Sequence, residues 1–272
     1  MLDIATLYSV VAAIAVFGSA LVVYFSTQRR DAAGALAWAI GIGCVALFFA
    51  ASVRRAYASP FVSFTLGNGV AIAGLGFMHT GACQITRRRC PLWMHWAASL
   101  VASAIIALYL EDPEGGYRGR VALVGGISAL QSAAIAWTLW RPDPGLGDGE
   151  LFARRLSVGV FGMLGLLQFV RMAQHLPFVP SVDTSFLDGT AMARVTAATF
   201  FAICLALPFL VVFMHEARTR HALRQTVGEL QHALAEVTTL RGLIPICESC
   251  RRIRDTNDTW HSIERYLSDH TD

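Results

Sequence analysis

The stretch LRGLIPICESCRRIRD, from Leu240 to Asp255, sets Cys247 and Cys250 in a Cys-x-x-Cys arrangement among four arginines. Two thiolates at that spacing in a turn can hold half of a tetrahedral zinc site, and a closed structural site needs four ligands. His261 and His270 are the nearest further candidates, but neither has a familiar ligand spacing. Plain reduced thiols are the competing reading. Redox catalysis would need a strand feeding a helix N-terminus that lowers the thiol pKa, and the flanking residues do not supply that unit.

A second constellation lies upstream. Gln168, Arg171 and His175 follow one another at spacings of three and four, which puts them on one face of a helix. Arg194 opens the next apolar run on the same side. Ionisable groups inside a membrane are costly, and they mark functional sites by default. The set predicts a shallow pocket that opens outward and takes an anionic or polar ligand. Snorkelling of Arg171 to the headgroups is the competing reading. The set has no nucleophile and no carboxylate, so no enzyme is expected.

The elements that must carry these groups are apolar. Of 272 residues 55% are hydrophobic and 15% charged, with mean hydropathy +0.51, whereas an ordinary soluble domain carries about 25% charged residues. All 22 basic residues are arginine, and a net charge of +3 is too small to argue for nucleic acid. Cys44, Cys83 and Cys204 sit in apolar runs and Cys90 follows an arginine run, so no disulfide framework is expected.

A membrane helix needs about 20 mostly apolar residues. Seven stretches qualify: Ile4–Phe25, Gly34–Val53, Phe61–Gln84, Pro91–Leu110, Val121–Trp140, Leu156–Leu176 and Thr190–Met214. No basic residue precedes the first, and Arg29 and Arg30 follow it, which favours an anchor with its N-terminus outside. In that orientation the cytoplasmic loops hold Arg29, Arg30, Arg87, Arg88, Arg89, Arg141, Arg154 and Arg155. The outer loops hold only Arg54, Arg55, Arg118 and Arg120, in keeping with the positive-inside rule. The acids Glu111, Asp112, Glu114, Asp183 and Asp188 fall mostly outside. Trp93, Trp96, Trp137 and Trp140 near span ends read as interfacial anchors.

Small residues at Gly67, Ala71, Gly74 and Gly81, and again from Gly125 to Ala136, predict close helix approach in the third and fifth spans. The seventh span carries Pro208 and then continues without a helix breaker towards Leu240. Leu223, Val227, Leu230, Leu234 and Val237 alternate by four and three, which is a homodimeric coiled-coil seam of about two heptads. From Thr190 to Leu240 such a helix would run about 75 Å. Gly242 and Pro245 end it. In the tail, IRDTND reads as a strand into a turn, and Asp258 or Thr259 as the cap of a last helix bearing Trp260, Ile263 and Leu267 on one face.

The tail resembles a short cytoplasmic module of bacterial signalling proteins. The likeness covers Leu240 to Asp272 and rests on Leu243, Pro245, Ile246, Cys247, Cys250, Ile253, Arg254, Asp255, Trp260, Glu264, Tyr266 and His270. Members of that family continue into a second Cys-x-x-Cys, so the resemblance implies a truncated chain and half of a metal site. The membrane part resembles, through LDIATLYSV, LAWAIGIG, Asn68 with Gly74, and RGRVAL, the multi-span sensors that precede diguanylate cyclases and histidine kinases. HEART, at His215 to Thr219, also resembles a kinase phosphoacceptor box, but only 57 residues follow His215, too few for the domains that chemistry requires.

These readings together predict an all-α membrane protein: a seven-helix bundle over 1–215, a cytoplasmic signalling helix over 216–240, and a Cys-x-x-Cys module over 241–272. The expected function is a sensor or adaptor of the bacterial inner membrane, passing a stimulus through span seven to an unknown cytoplasmic signalling protein. A transporter- or channel-like protein with a regulatory tail is the alternative. It would show paired charges along a path or an inverted repeat, and neither is clear in the sequence.

Overall fold

The computed structural model describes residues 4–28, 34–53, 59, 61–89, 92–108, 115–141, 146–176, 189–243, 246–255 and 258–270. The loop residues Arg29, Arg30, Arg54, Arg55 and Cys90, the five acids named above, and Pro245 lie outside the described residues. The chain divides into two compact units, Met1–Arg218 and Thr219–Asp272.

The first unit is helical. Its elements are α1 (Ile4–Gln28), α2 (Ala35–Val53), a π-helical turn (Phe61–Leu66) running into α3 (Gly67–Ile85), α4 (Leu92–Leu108), α5 (Gly115–Trp140), α6 (Asp148–Gln174) and the first part of α7 (Gly189–Leu243). Six of these helices are long and apolar enough to cross a membrane. The apolar part of α4, Trp93–Leu108, is shorter. Its 17 residues span about 26 Å, against a hydrocarbon core of about 30 Å.

Consecutive helices pack on one another: α1 on α2, α2 on α3 and α5 on α6, while α3 also meets α4 and α5. The central apolar cluster takes residues from α1, α2, α3, α5, α6 and α7, among them Val11, Trp38, Phe49, Leu75, Phe161 and Leu207. Trp38 and Phe161 are fully buried and meet edge to face, with ring centroids 5.6 Å apart.

The small residues act where helix backbones approach most closely. A Cβ on Gly81 would lie 2.0 Å from Cδ1 of Trp38, and one on Gly74 would lie 2.8 Å from Cβ of Cys44. The glycine face of α3 is thus the seat of α2. On the other side, Gly125 and Gly126 receive Met172, and Gly165 receives Ser132. Gly81→Val would drive a branched side chain into the Trp38 ring, and overpacking of this kind costs about 1–3 kcal/mol. Thermal unfolding in detergent should show the lowered midpoint, with Gly159→Val, where nothing lies within 4 Å, unchanged.

The observed elements of the membrane unit differ from the sequence expectations at several positions. Arg154, expected in a loop, lies inside α6 and is 1% exposed, because α6 begins at Asp148 rather than Leu156. Arg120, expected in an outer loop, lies inside α5 and stacks over the Phe64 ring at 4.9 Å. His215 is buried and faces the Phe25 ring at 5.9 Å.

The second unit holds the rest of α7, a two-stranded antiparallel hairpin and α8 (Ile263–His270). Strands β1 (Ile253–Arg254) and β2 (Trp260–His261) pair Ile253 with His261 and Arg254 with Trp260. Trp260 therefore belongs to a strand, not to the last helix. That helix starts later, and the Ser262 hydroxyl, not Asp258 or Thr259, accepts from the Arg265 N–H at 3.3 Å. Asp258 instead takes a left-handed φ of 64° in the hairpin loop.

Candidate functional site

A cavity of about 110 Å³ opens among the helices at the end of the bundle where α1 begins. Its walls mix two chemistries. Tyr8, Phe49, Phe64 and Phe200 supply an aromatic surface, while Asn68, Arg120, Ser128, Gln168, Arg171 and Thr196 supply polar groups. The aromatic side is held by edge-to-face contacts of Phe49 with Tyr8 at 5.1 Å and with Phe200 at 5.2 Å. The π-helical turn helps shape the opposite wall, where Asn68 Nδ2 donates to the Phe64 carbonyl at 2.6 Å. Such turns recur at functional sites because they redirect side chains from the α-helical register.

Gln168 and Arg171 thus line one cavity, and Gln168 is 5% exposed. His175 lies just beyond α6, as its C-cap. Burial first, then the positive charges of Arg171 and Arg118, hold the His175 imidazole below its ordinary pKa. Arg194 is exposed and does not line the cavity. Sequence reasoning missed Arg120, Asn68 and Thr196. The Thr196 hydroxyl is buried without a hydrogen-bond partner. A buried polar group in that state costs free energy unless something satisfies it. Two guanidinium groups, neutral donors and aromatic walls suit a small carboxylate with an apolar body.

At the opposite end of the bundle three charges converge. Glu150 is 3% exposed, and its carboxylate accepts from Arg154 at 2.8 Å and from Arg218 Nε at 3.1 Å. Arg218 also donates to the Ile85 carbonyl at 3.0 Å. One carboxylate therefore ties the start of α6 to α7 and, through Arg218, to the end of α3.

The cysteine turn of the second unit is closed by the backbone. Cys247 N–H donates to the Arg252 carbonyl at 2.9 Å, and Arg251 N–H to the Cys247 carbonyl at 2.8 Å, with Arg251 at a φ of 53°. His261 is engaged by Asp255, Nε2 to Oδ2 at 2.9 Å. Among the described residues no three His, Cys, Asp or Glu side chains converge as a metal site. Cys247 and Cys250 supply two ligands where a closed tetrahedral site takes four. Backbone and side-chain hydrogen bonds from Cys250, then the Ser249 N–H, hold the Cys247 thiol below its ordinary pKa. In chelator-treated protein, Cys247 should be alkylated with a pH midpoint below the ordinary thiol value of about 8.5. The thiolate then forms as pH rises through that lowered value, and mass spectrometry of iodoacetamide adducts reads it directly.

Leu223, Val227, Leu230 and Leu234 of α7 are all exposed, from 45% to 63%. The side chain of Val237 lies outside the described ones. No family model, curated protein or solved structure matches the chain.

Proposed function

We propose that this chain is a membrane-embedded sensor whose outer cavity binds a small carboxylate and whose seventh helix passes that event to a cytoplasmic module. It works without catalysis. The observation that carries this reading is that α7 contributes Thr196 and Phe200 to the cavity and also contains the residues leading to the tail. A ligand that draws Thr196 inward acts on the same element that bears the signalling surface.

In this reading α4 is a short seventh span, the N-terminus is outside, and the inner membrane is the location. The exposed seam from Leu223 to Leu234 pairs with a second copy, since a stripe of apolar residues at heptad spacing is stable only when covered. Cys247 and Cys250 supply half of a zinc site. The module then meets a signalling protein through its surface.

The test uses full-length protein in lipid nanodiscs with acetate, propionate and benzoate as probes. At least one should raise the unfolding midpoint, and Arg171→Gln should abolish the rise. The same probe should change the yield of disulfide between copies carrying Leu230→Cys. A rise that survives Arg171→Gln, or no rise with any probe, defeats the cavity as a carboxylate site. Thiol labelling of the tail from the outer face of intact cells defeats the orientation.

A further inference from the structure

A second opening, of about 250 Å³, lies on the flank of the bundle between α2, α3 and α4. Its rim is formed by Leu36, Ile40 and Trp96, which are apolar and about half exposed. That is the surface a bundle turns to lipid. Small residues, Ala37, Ala73 and Gly76, leave the room between them.

The walls are tied together. Nε2 of His95 lies 2.8 Å from Nδ1 of His79, and Nε2 of His79 lies 3.0 Å from the Thr138 hydroxyl, so polar contacts link α4 to α3 and α3 to α5. Phe77 and Trp96 meet edge to face at 5.2 Å on the same flank. The crevice is therefore a fixed feature of the bundle and not a gap between loosely packed helices.

Its depth and its end select the occupant. From Ala73 to Gln84 the α3 wall runs about 16 Å, close to the roughly 15 Å that one leaflet contributes to the hydrocarbon core. None of the lining residues is an acid or an arginine, so the interior suits a hydrocarbon chain. The mouth has the opposite chemistry. The Arg87 N–H donates to the Gln84 carbonyl at 3.2 Å, which starts the run Arg87–Arg88–Arg89 one turn beyond the last crevice residue. Arg87 and Arg89 are exposed there. Trp93, 71% exposed, stands at the start of α4 at the same end, and such residues mark headgroup depth. A greasy slot one leaflet deep under exposed arginines complements a molecule with an apolar chain and an anionic head.

We propose that this crevice holds one acyl chain of an anionic phospholipid, whose phosphate lies against Arg87 and Arg89. In the orientation proposed above, this end meets the cytoplasmic leaflet, whose anionic lipids attract basic segments beside a span. The site depends on membrane embedding but on neither the carboxylate cavity nor the direction of insertion, so its failure and that of the sensor reading are distinguishable.

The experiment places full-length protein in nanodiscs of equimolar palmitoyl-oleoyl phosphatidylglycerol and phosphatidylcholine, and native mass spectrometry reads the lipids that stay bound on release. Wild type should keep phosphatidylglycerol in preference. Arg87→Gln with Arg89→Gln should lower that preference by roughly 25-fold, about fivefold for each arginine near the surface. Ile40→Trp fills the slot from the lipid side and should abolish the retained lipid, with the unfolding midpoint in detergent unchanged. Arg155→Gln is the control: it removes an exposed arginine of α6 that lines no part of the crevice. That arginine lies near the same end, since Arg218 joins Glu150 of α6 to the Ile85 carbonyl of α3. Equal retention of the two lipids, or an equal loss with Arg155→Gln, overturns the role of Arg87 and Arg89. Retention unchanged by Ile40→Trp in folded protein overturns the crevice. Displacement of the lipid by inorganic phosphate would also overturn it, because a head-only site needs no chain slot.

Discussion

Glu150→Ala should destabilise the membrane unit by about 3–5 kcal/mol, the usual result of removing one partner from a buried ion pair. The loss comes less from the missing attraction than from what is stranded. Arg154 is 1% exposed, and its guanidinium would keep its charge while losing the Glu150 carboxylate that it bonds at 2.8 Å. Arg218 is 29% exposed and can turn to water, so Arg218→Ala should cost less. A thermal or denaturant series in detergent distinguishes the two. Equal effects would mean that Glu150 is held mainly for Arg218, and that the burial of Arg154 is satisfied elsewhere.

Phe161→Ala should cost a similar amount, about 3–5 kcal/mol, as large aromatic truncations in a packed core do. Phe161 is fully buried and fills the space beneath Trp38, which in turn lies against Gly81. The three residues join α6, α2 and α3 at one point. Because the two rings share a contact, Trp38→Ala and Phe161→Ala should be less than additive when combined. A double-mutant cycle on unfolding midpoints measures the shortfall. Full additivity would show that the ring contact contributes nothing beyond separate burial.

The sequence made the apolar helices legible because a span is a local property: about 20 residues without charge are visible in one window. The same holds for the glycine face of α3, where a repeat along one helix reports its neighbour without naming it. Gln168 and Arg171 could be read as a pair because they share a helix face. Their companions could not. Arg120 and Asn68 sit on α5 and α3, and only packing brings them to the same cavity. His79 and His95 are 16 residues apart, and Thr138 is 59 from His79, so no spacing rule links them. Glu150 and Arg218 are separated by 68 residues, so no local pattern links them. In the tail, Trp260 fitted a helical face with Ile263 and Leu267. The pairing of Arg254 with Trp260 decided the matter, and a partner strand is invisible to a single-helix pattern.

Pro208 has a mechanical consequence. Lacking an N–H, it cannot bond the Cys204 carbonyl, and its ring rests where Gly18 of α1 has no side chain. The turn of α7 that faces the aromatic cavity, at Thr196 and Phe200, lies before this gap, and the turn anchored by Arg218 lies after it. Compliance in the rod is thus concentrated at one joint, where bending breaks no hydrogen bond that was made. Any change of tilt between these two stretches would turn about the notch at Gly18 as its fulcrum.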